Sequence, residues 1–135
     1  MKYKFLKHTA DVKFQAYGKT LEESFANAAL AMFSVMTDVK KIKPIIKKEF
    51  NMKGIDQKQL LYKFLEEFLF LMDAKFLLLS KITKIKIKDN KLNAVVYFDK
   101  ADKYKIQGDV KAVTYQEMEI KKEKDKFIVQ VVVDV

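Results

Sequence analysis

The chain has 135 residues, half of them apolar and 13% aromatic, so residues 1–135 can bury the core of a single domain. It contains no cysteine, which excludes disulfides, thiolate metal sites and cysteine nucleophiles. The net charge of +9 is typical of nucleic-acid binding proteins. However, every basic residue is a lysine and the lysines are spread evenly along the chain, which favours a solvated lysine surface.

No segment of the sequence is typical of a membrane or export signal. The N-terminal residues lack the apolar core of a signal peptide, and apolar stretches such as residues 68–72 are too short to span a bilayer. We therefore expect a soluble, cytoplasmic protein with no membrane partner.

The first predicted elements are a strand and a helix. Residues 12–17 alternate apolar and polar side chains, as a half-buried strand does, and Gly18 ends that strand. Thr20 followed by Glu23 is the pattern of a capping box, which predicts that a helix begins directly after it. Apolar residues then recur at helical spacing and predict a helix over residues 21–36.

A second strand and helix follow. Residues 41–52 are strand-like, but Pro44 has no amide hydrogen and so predicts an edge strand. Asp56 then caps a helix over residues 57–73, whose apolar stripe is broad enough to be nearly buried. We expect this helix to pack centrally against a sheet.

The rest of the chain is predicted to form strands. Two hairpins are expected, 76–88 with 91–98 through a turn at Asp89-Asn90, and 110–120 with 126–134. The predicted fold class is α+β, a two-layer α/β sandwich in which two helices pack on a mainly antiparallel sheet of about six or seven strands.

His8 and Asp11 are the first candidates for chemistry. The only histidine of the chain precedes an aspartate by three residues, and such a pair can act as a base and the group that orients it. A base also needs a nucleophile or a metal-bound water, and no serine lies in a strained glycine turn, so a structural hydrogen bond is the simpler interpretation. A zinc site would need further histidine or cysteine ligands.

The C-terminus is the second candidate. The last strand stays rich in β-branched residues to its end, so Asp134 and the C-terminal carboxylate of Val135 lie together at the end of a core strand. Two adjacent anions repel each other unless something positive lies nearby. A lysine is one such partner, and a hard cation such as Ca²⁺ is the other. Lys111, in a third strand-like segment, is an ordinary strand lysine on this evidence alone.

These features resemble one known family. The segment HTADVKFQAYGKTLEESFANAALAMFSVMTD at residues 8–38, the motif VKAVTY at 110–115 and the ending VVVDV are similar to the signatures of the archease family, in the same order. The resemblance covers nearly the whole chain. Three features depart from the family pattern: Lys7 stands where an acid is usual, Gln116 stands where a histidine is usual, and the loop over residues 99–107 lacks the family's Gly-Glu and histidine pattern.

The resemblance implies a non-catalytic protein that activates the GTP-dependent tRNA-splicing RNA ligase, promoting its guanylylation and multiple turnover in tRNA splicing and RNA repair. It implies a divalent metal, Ca²⁺ by this family's pattern, held by Asp11, Asp134 and Val135. It also implies that Asp11, Lys111 and His8 take part in ligase activation. The partner would be the ligase's catalytic subunit, with tRNA contacted indirectly.

Two other functions remain open on the sequence. One is a metal-dependent phosphodiesterase or phosphatase that uses His8 and Asp11, and it predicts hydrolysis by the isolated protein. The other is an RNA-binding module that uses the lysine surface, and it predicts salt-dependent affinity for tRNA without any ligase.

Overall fold

The computed structural model describes all residues, 1–135, and contains two helices and seven strands. The strands are β1 (Tyr3–Leu6), β2 (Val12–Gly18), β3 (Ile46–Lys53), β4 (Leu77–Lys88), β5 (Lys91–Lys100), β6 (Ala112–Glu123) and β7 (Lys126–Asp134), and the helices are α1 (Leu21–Ser34) and α2 (Gln57–Lys75). Every paired strand is antiparallel. The predicted α+β class, with two helices and a mainly antiparallel arrangement of strands, is confirmed.

The strands are divided between two sheets rather than joined in one. The four-stranded sheet has the order β1-β2-β7-β6, and the three-stranded sheet has the order β3-β5-β4. The C-terminal strand β7 therefore lies inside its sheet, between β2 and β6. The strand predicted over residues 41–52 begins only at Ile46, because Val39–Lys41 form a short 3-10 turn and Pro44 follows it. As Pro44 predicted, β3 lies at a sheet edge.

Both helices begin where the sequence predicted. The Thr20 hydroxyl accepts a hydrogen bond from the Glu23 amide at 3.0 Å, and the Asp56 carboxylate accepts one from the Gln59 amide at 2.8 Å. Helix α1 ends two residues earlier than predicted, at Ser34, whereas α2 extends two residues further, to Lys75. Phe76 ends α2 with a left-handed φ of 56°.

The core contains a cluster of aromatic rings between the helices and the three-stranded sheet. Phe68 of α2 is fully buried, and its ring centroid lies 5.0 Å from that of Phe50 and 5.0 Å from that of Phe64. Phe33 of α1 and Phe98 of β5 complete the contacts of Phe68, each at 5.9 Å. The broad apolar stripe of α2 is therefore core, as predicted. Neither helix combines the length and the apolarity needed to cross a membrane.

Two connections between these elements depend on particular residues, the passage from β2 to α1 and the turn between β4 and β5. A Cβ atom added to Gly18 would lie 2.5 Å from the Ser24 amide nitrogen, so only glycine allows β2 to run this close to the start of α1. Asp89 and Asn90 have φ values of 53° and 59°, the left-handed pair that a two-residue type I′ hairpin turn requires. The predicted turn between β4 and β5 is confirmed.

Candidate functional site

Three strands end together at the predicted acidic residues. Val12 of β2 pairs with Val133 of β7, and Ala112 of β6 pairs with Asp134 on the other side of β7. Asp11 directly precedes Val12, so this register sets it across from Asp134. Asp11 and Asp134, which are far apart in the sequence, thus lie at one corner of the four-stranded sheet.

The acids at the end of β7 have no cationic partner within the chain. Asp134 and Val135 are exposed, and neither the Asp134 side chain nor the terminal carboxylate forms an ion pair. The lysine partner that the sequence left open is therefore not found. Lys7 is exposed as well and forms no ion pair with Asp11.

Lys111 reaches this corner through its backbone. Its amide donates a hydrogen bond to the Asp134 carbonyl oxygen at 2.7 Å, just before β6 begins at Ala112. The predicted strand over 110–120 therefore starts two residues late, at Ala112. The Lys111 side chain is exposed and forms no ion pair, so its ammonium group is available to a partner molecule.

His8 lies between two carboxylates. Its Nδ1 atom contacts Oδ1 of Asp11, and its Nε2 atom lies 2.8 Å from Oε2 of Glu117. Only the protonated imidazolium can donate to both carboxylates at once. The hydrogen bonds to Glu117 and to Asp11, in that order of effect, raise the pKa of His8 above its usual value. The predicted His8–Asp11 pair is thus present, and it is joined by a third residue.

That third residue, Glu117, also binds a lysine. Nζ of Lys13 donates to Oε1 of Glu117 at 3.0 Å. The hydrogen bonds from His8 and from Lys13 lower the pKa of the Glu117 carboxyl group. Cations and carboxylates therefore alternate from Asp11 through His8 and Glu117 to Lys13 across the outer face of the sheet.

Glu117 and Lys13 were not predicted as site residues, although the sequence carries a signal for Glu117. Val113 and Met118 are both buried, yet five residues separate them, and strict alternation places residues five apart on opposite faces. The apolar pattern therefore changes phase within β6, which is typical of a bulge. Glu117 lies inside that irregular stretch.

The side chains alone do not form a complete metal site. No three His, Cys, Asp or Glu side chains are arranged so that they could hold one ion. Asp11 and Glu117 contact opposite nitrogens of the His8 ring, so they do not converge on a single point. The predicted metal ligands, Asp11, Asp134 and Val135, are not three side chains, because Val135 would contribute its main-chain carboxylate. Its donors are all carboxylate oxygens, which are the ligands that hard divalent cations prefer.

The fold and this corner together define a small α+β protein with an unpaired acidic strand end next to a histidine held by carboxylates. The model of the family described as the archease protein family matches residues 3–135. The archease of Sulfurisphaera tokodaii is 39% identical to this chain over 137 aligned residues, with 99% of each chain covered. The archease of Methanosarcina barkeri is 40% identical over 139 residues, covering 98% of this chain and 95% of that one. The chain belongs to the archease family.

Solved structures agree with this assignment. The solution structure of protein 1598 from Methanobacterium thermoautotrophicum has a TM-score of 0.82 and 36% identity, with 99% of each chain covered. The crystal structure of an archease from Thermotoga maritima, described there as a possible chaperone, has a TM-score of 0.65 and covers 96% of this chain and 94% of that one. At 20% identity, the second structure supports the fold alone.

Proposed function

We propose that this protein activates the GTP-dependent tRNA-splicing RNA ligase, without catalysing a reaction itself, by promoting guanylylation of the ligase and its multiple turnover. Family membership supports the role, and one observation supports the site that we assign to it. This observation is the pairing of Val12 with Val133, which brings Asp11 beside Asp134 at the end of the chain.

We propose that Asp11, Asp134 and the C-terminal carboxylate of Val135 hold a divalent cation, with Ca²⁺ the ion that an all-oxygen set favours. When bound, such an ion would supply positive charge against the phosphates of the ligase's nucleotide. The support is electrostatic, because adjacent carboxylates with no counter-ion repel each other and a cation relieves that repulsion. The neighbouring strand fixes the geometry, since the Lys111 amide holds the carbonyl group of Asp134.

Residues of this chain would have distinct tasks in the complex. His8 holds Asp11 through Oδ1, which restricts rotation of that carboxylate. The exposed ammonium group of Lys111 would interact with negative charge that develops on the nucleotide during transfer to the ligase. The acidic corner would dock at the nucleotide site of the ligase, where both groups can act.

The contacts of His8 argue against the hydrolase alternative. A general base must present a free nitrogen to the attacking water, whereas both nitrogens of this ring face carboxylates. The absence of arginine and the even spread of lysines along the sequence count against the RNA-binding alternative. Incubating the isolated protein with RNA that ends in a 2′,3′-cyclic phosphate tests both alternatives, because we expect neither hydrolysis nor stoichiometric binding at physiological salt.

The direct test is guanylylation of the ligase from the same organism, measured with radiolabelled GTP at limiting Ca²⁺. Asp134→Asn should lower both the activation of the ligase and the Ca²⁺ affinity by about tenfold or more. Even the loss of a group that only orients a metal ligand lowers metal affinity by about 10- to 100-fold. Asp125→Asn is the matched control, because Asp125 is an exposed acid in the turn between β6 and β7 and forms no ion pair. If folded Asp134→Asn activates the ligase as well as wild type does, the proposed site is wrong.

A further inference from the structure

Strand β6 contains a large bulge at Glu117. Thr114 pairs with Val132 and Glu119 with Gln130, so the four residues from Tyr115 to Met118 lie opposite Val131 alone. Glu117 itself has a φ of 52°, in the left-handed region that a residue with a Cβ atom avoids. Bulges re-aim side chains, and strained backbone persists only where the surroundings hold it.

The bulge is anchored from both faces of the sheet. On the inner face, Met118 is buried, and the Tyr115 ring stacks on that of Tyr62 with centroids 4.4 Å apart. On the outer face, the nearly buried Gln130 donates from Nε2 to the Glu117 carbonyl oxygen at 2.8 Å. Backbone strain at Glu117 is therefore maintained by several specific contacts.

A hydrogen-bonded row extends this anchor across two further strands. The Tyr17 hydroxyl donates to Oε1 of Gln15 at 3.0 Å, and Nε2 of Gln15 donates to Oε1 of Gln130 at 3.0 Å. Each amide thus uses one oxygen and one nitrogen within the row, which fixes the orientation of Gln130. The row connects β2, β7 and the bulge, and it ends at the residue whose carboxylate holds His8.

The contacts of Glu117 lead to Asp11. Nε2 of His8 and Nζ of Lys13 both bind the Glu117 carboxylate, so the imidazole ring is held from the side away from Asp11. Nδ1 of the same ring then contacts only Oδ1 of Asp11. The other oxygen of Asp11, Oδ2, forms no hydrogen bond within the chain and is free to bind an ion or a partner.

We propose that Glu117 is a positioning residue of the Asp11 site, which the β6 bulge aims at His8 so that the ring fixes the Asp11 carboxylate through one oxygen and leaves the other for the cation. This inference rests on the proposed function. A group that orients a metal-binding carboxylate in this way raises the affinity of the site for the ion, because the carboxylate does not have to be ordered when the ion binds.

The test uses two substitutions that separate position from charge. Glu117→Gly removes the carboxylate and suits the left-handed backbone, so the variant should unfold at the same temperature as wild type or higher. Glu117→Gln removes the charge but keeps an oxygen that can accept from Nε2 of His8. Glu119→Gln is the control for net charge, because Glu119 is an exposed acid of the same strand and forms no ion pair.

Three quantities are measured on the full chain: the thermal midpoint, the ring ¹⁵N shifts of His8 at fixed pH without metal, and the Ca²⁺ affinity by calorimetry. We expect the affinity of Glu117→Gly to fall by about tenfold, that of Glu117→Gln to fall by roughly threefold or less, and that of Glu119→Gln to stay unchanged. The His8 shifts should move most in Glu117→Gly. Ligase guanylylation should follow the affinities.

Two results would overturn the inference. Equal losses of affinity in Glu117→Gly and Glu117→Gln would show an effect of charge without positioning. Unchanged affinity and unchanged His8 shifts in Glu117→Gly would show that Glu117 does not hold the ring for the site. Asp134→Asn in the same assays separates this inference from the proposed function: if only Asp134→Asn loses Ca²⁺, the function stands and the positioning role fails, whereas no loss in Asp134→Asn refutes the cation site itself.

Discussion

Replacement of Phe68 by alanine tests how far the fold depends on the aromatic cluster. The Phe68 side chain is fully buried and contacts four other rings, at centroid distances of 5.0 to 5.9 Å: Phe33, Phe50, Phe64 and Phe98. Truncation of a buried phenylalanine costs about 3–5 kcal/mol, and the cost rises when the surroundings cannot collapse into the cavity. Rings from two helices and two strands cannot all move inward, so we expect a loss of about 4–5 kcal/mol.

That loss corresponds to a large change in the thermal midpoint. With an unfolding entropy of about 2.1 cal/mol/K per residue, a chain of this length has roughly 280 cal/mol/K, so the midpoint should fall by about 15 °C. Urea unfolding followed by circular dichroism measures the free energy directly, provided the slope with denaturant is unchanged. Phe70→Ala is the control, because Phe70 lies on the same helix but is 56% exposed. A loss under about 1.5 kcal/mol in Phe68→Ala, or equal losses in both variants, would refute this account of the core.

Three further predictions concern single contacts. Thr20→Ala removes the cap of α1 and should lower the free energy of unfolding by about 1 kcal/mol in urea; no change would mean that the cap is dispensable. The hydrogen bond from the Tyr104 hydroxyl is the main cause that lowers the pKa of the buried Asp99 carboxyl group in the folded chain. The charged carboxylate therefore stabilises the fold fully above the ordinary pKa of 3.8, and this contribution disappears as the pH falls through the lowered pKa of the folded state. Asp99→Asn should therefore reduce the fall in urea midpoint at acid pH, and an unchanged acid profile would contradict it. The pKa of His8 in the metal-free chain, measured by NMR titration, should exceed 6.5 and should fall in Glu117→Gln. The protonated ring should stabilise the fold fully below pH 6.5, and this contribution should be lost as the pH rises through the raised pKa of the folded state. A His8 pKa at or below 6.5 would refute the two-carboxylate arrangement.

Local sequence signals predicted the elements that depend on local interactions. The starts of both helices follow from Thr20 and Asp56, whose side chains accept hydrogen bonds from amides three residues later. The β4–β5 turn follows from Asp89-Asn90, because aspartate and asparagine tolerate the left-handed conformation. In each case, the residues that determine the structure are within four positions of one another.

Features that depend on distant partners were missed or misplaced. Strand β1 has only four residues, and it is a strand because Phe5 and its neighbours pair with Phe14 and the rest of β2. The division into two sheets is also invisible in an alternating pattern, which gives the faces of a strand but not its neighbours. The start of β3 at Ile46 was misplaced for a local reason instead, because a 3-10 turn precedes it, in which the Asp38 carboxylate accepts a hydrogen bond from the Lys40 amide.

The same difference between local and distant interactions explains which residues of the candidate site were predicted from the sequence. Asp134 stood out because an acid at the end of an apolar strand is unusual, and Asp11 because it follows the only histidine by three residues. The family resemblance implied that they share a site, and the strand register sets them side by side. Glu117 did not stand out, because it is one of several exposed acids in the second half of the chain. Its importance depends on the bulge and on the contact with His8, which lies 109 positions away in the sequence.

The overall charge and the local charge of this chain act in opposite directions at the proposed docking surface. The net charge of +9 attracts polyanions such as the RNA that the proposed ligase partner would carry. The three carboxylates of Asp11, Asp134 and Val135 would by themselves repel the nucleotide's phosphates, because only Asp11 has a cationic partner, His8. A divalent cation at this corner reverses the local sign and makes it agree with the rest of the surface. The charge distribution of the chain therefore favours the proposed cation, as do the donor atoms that would bind it.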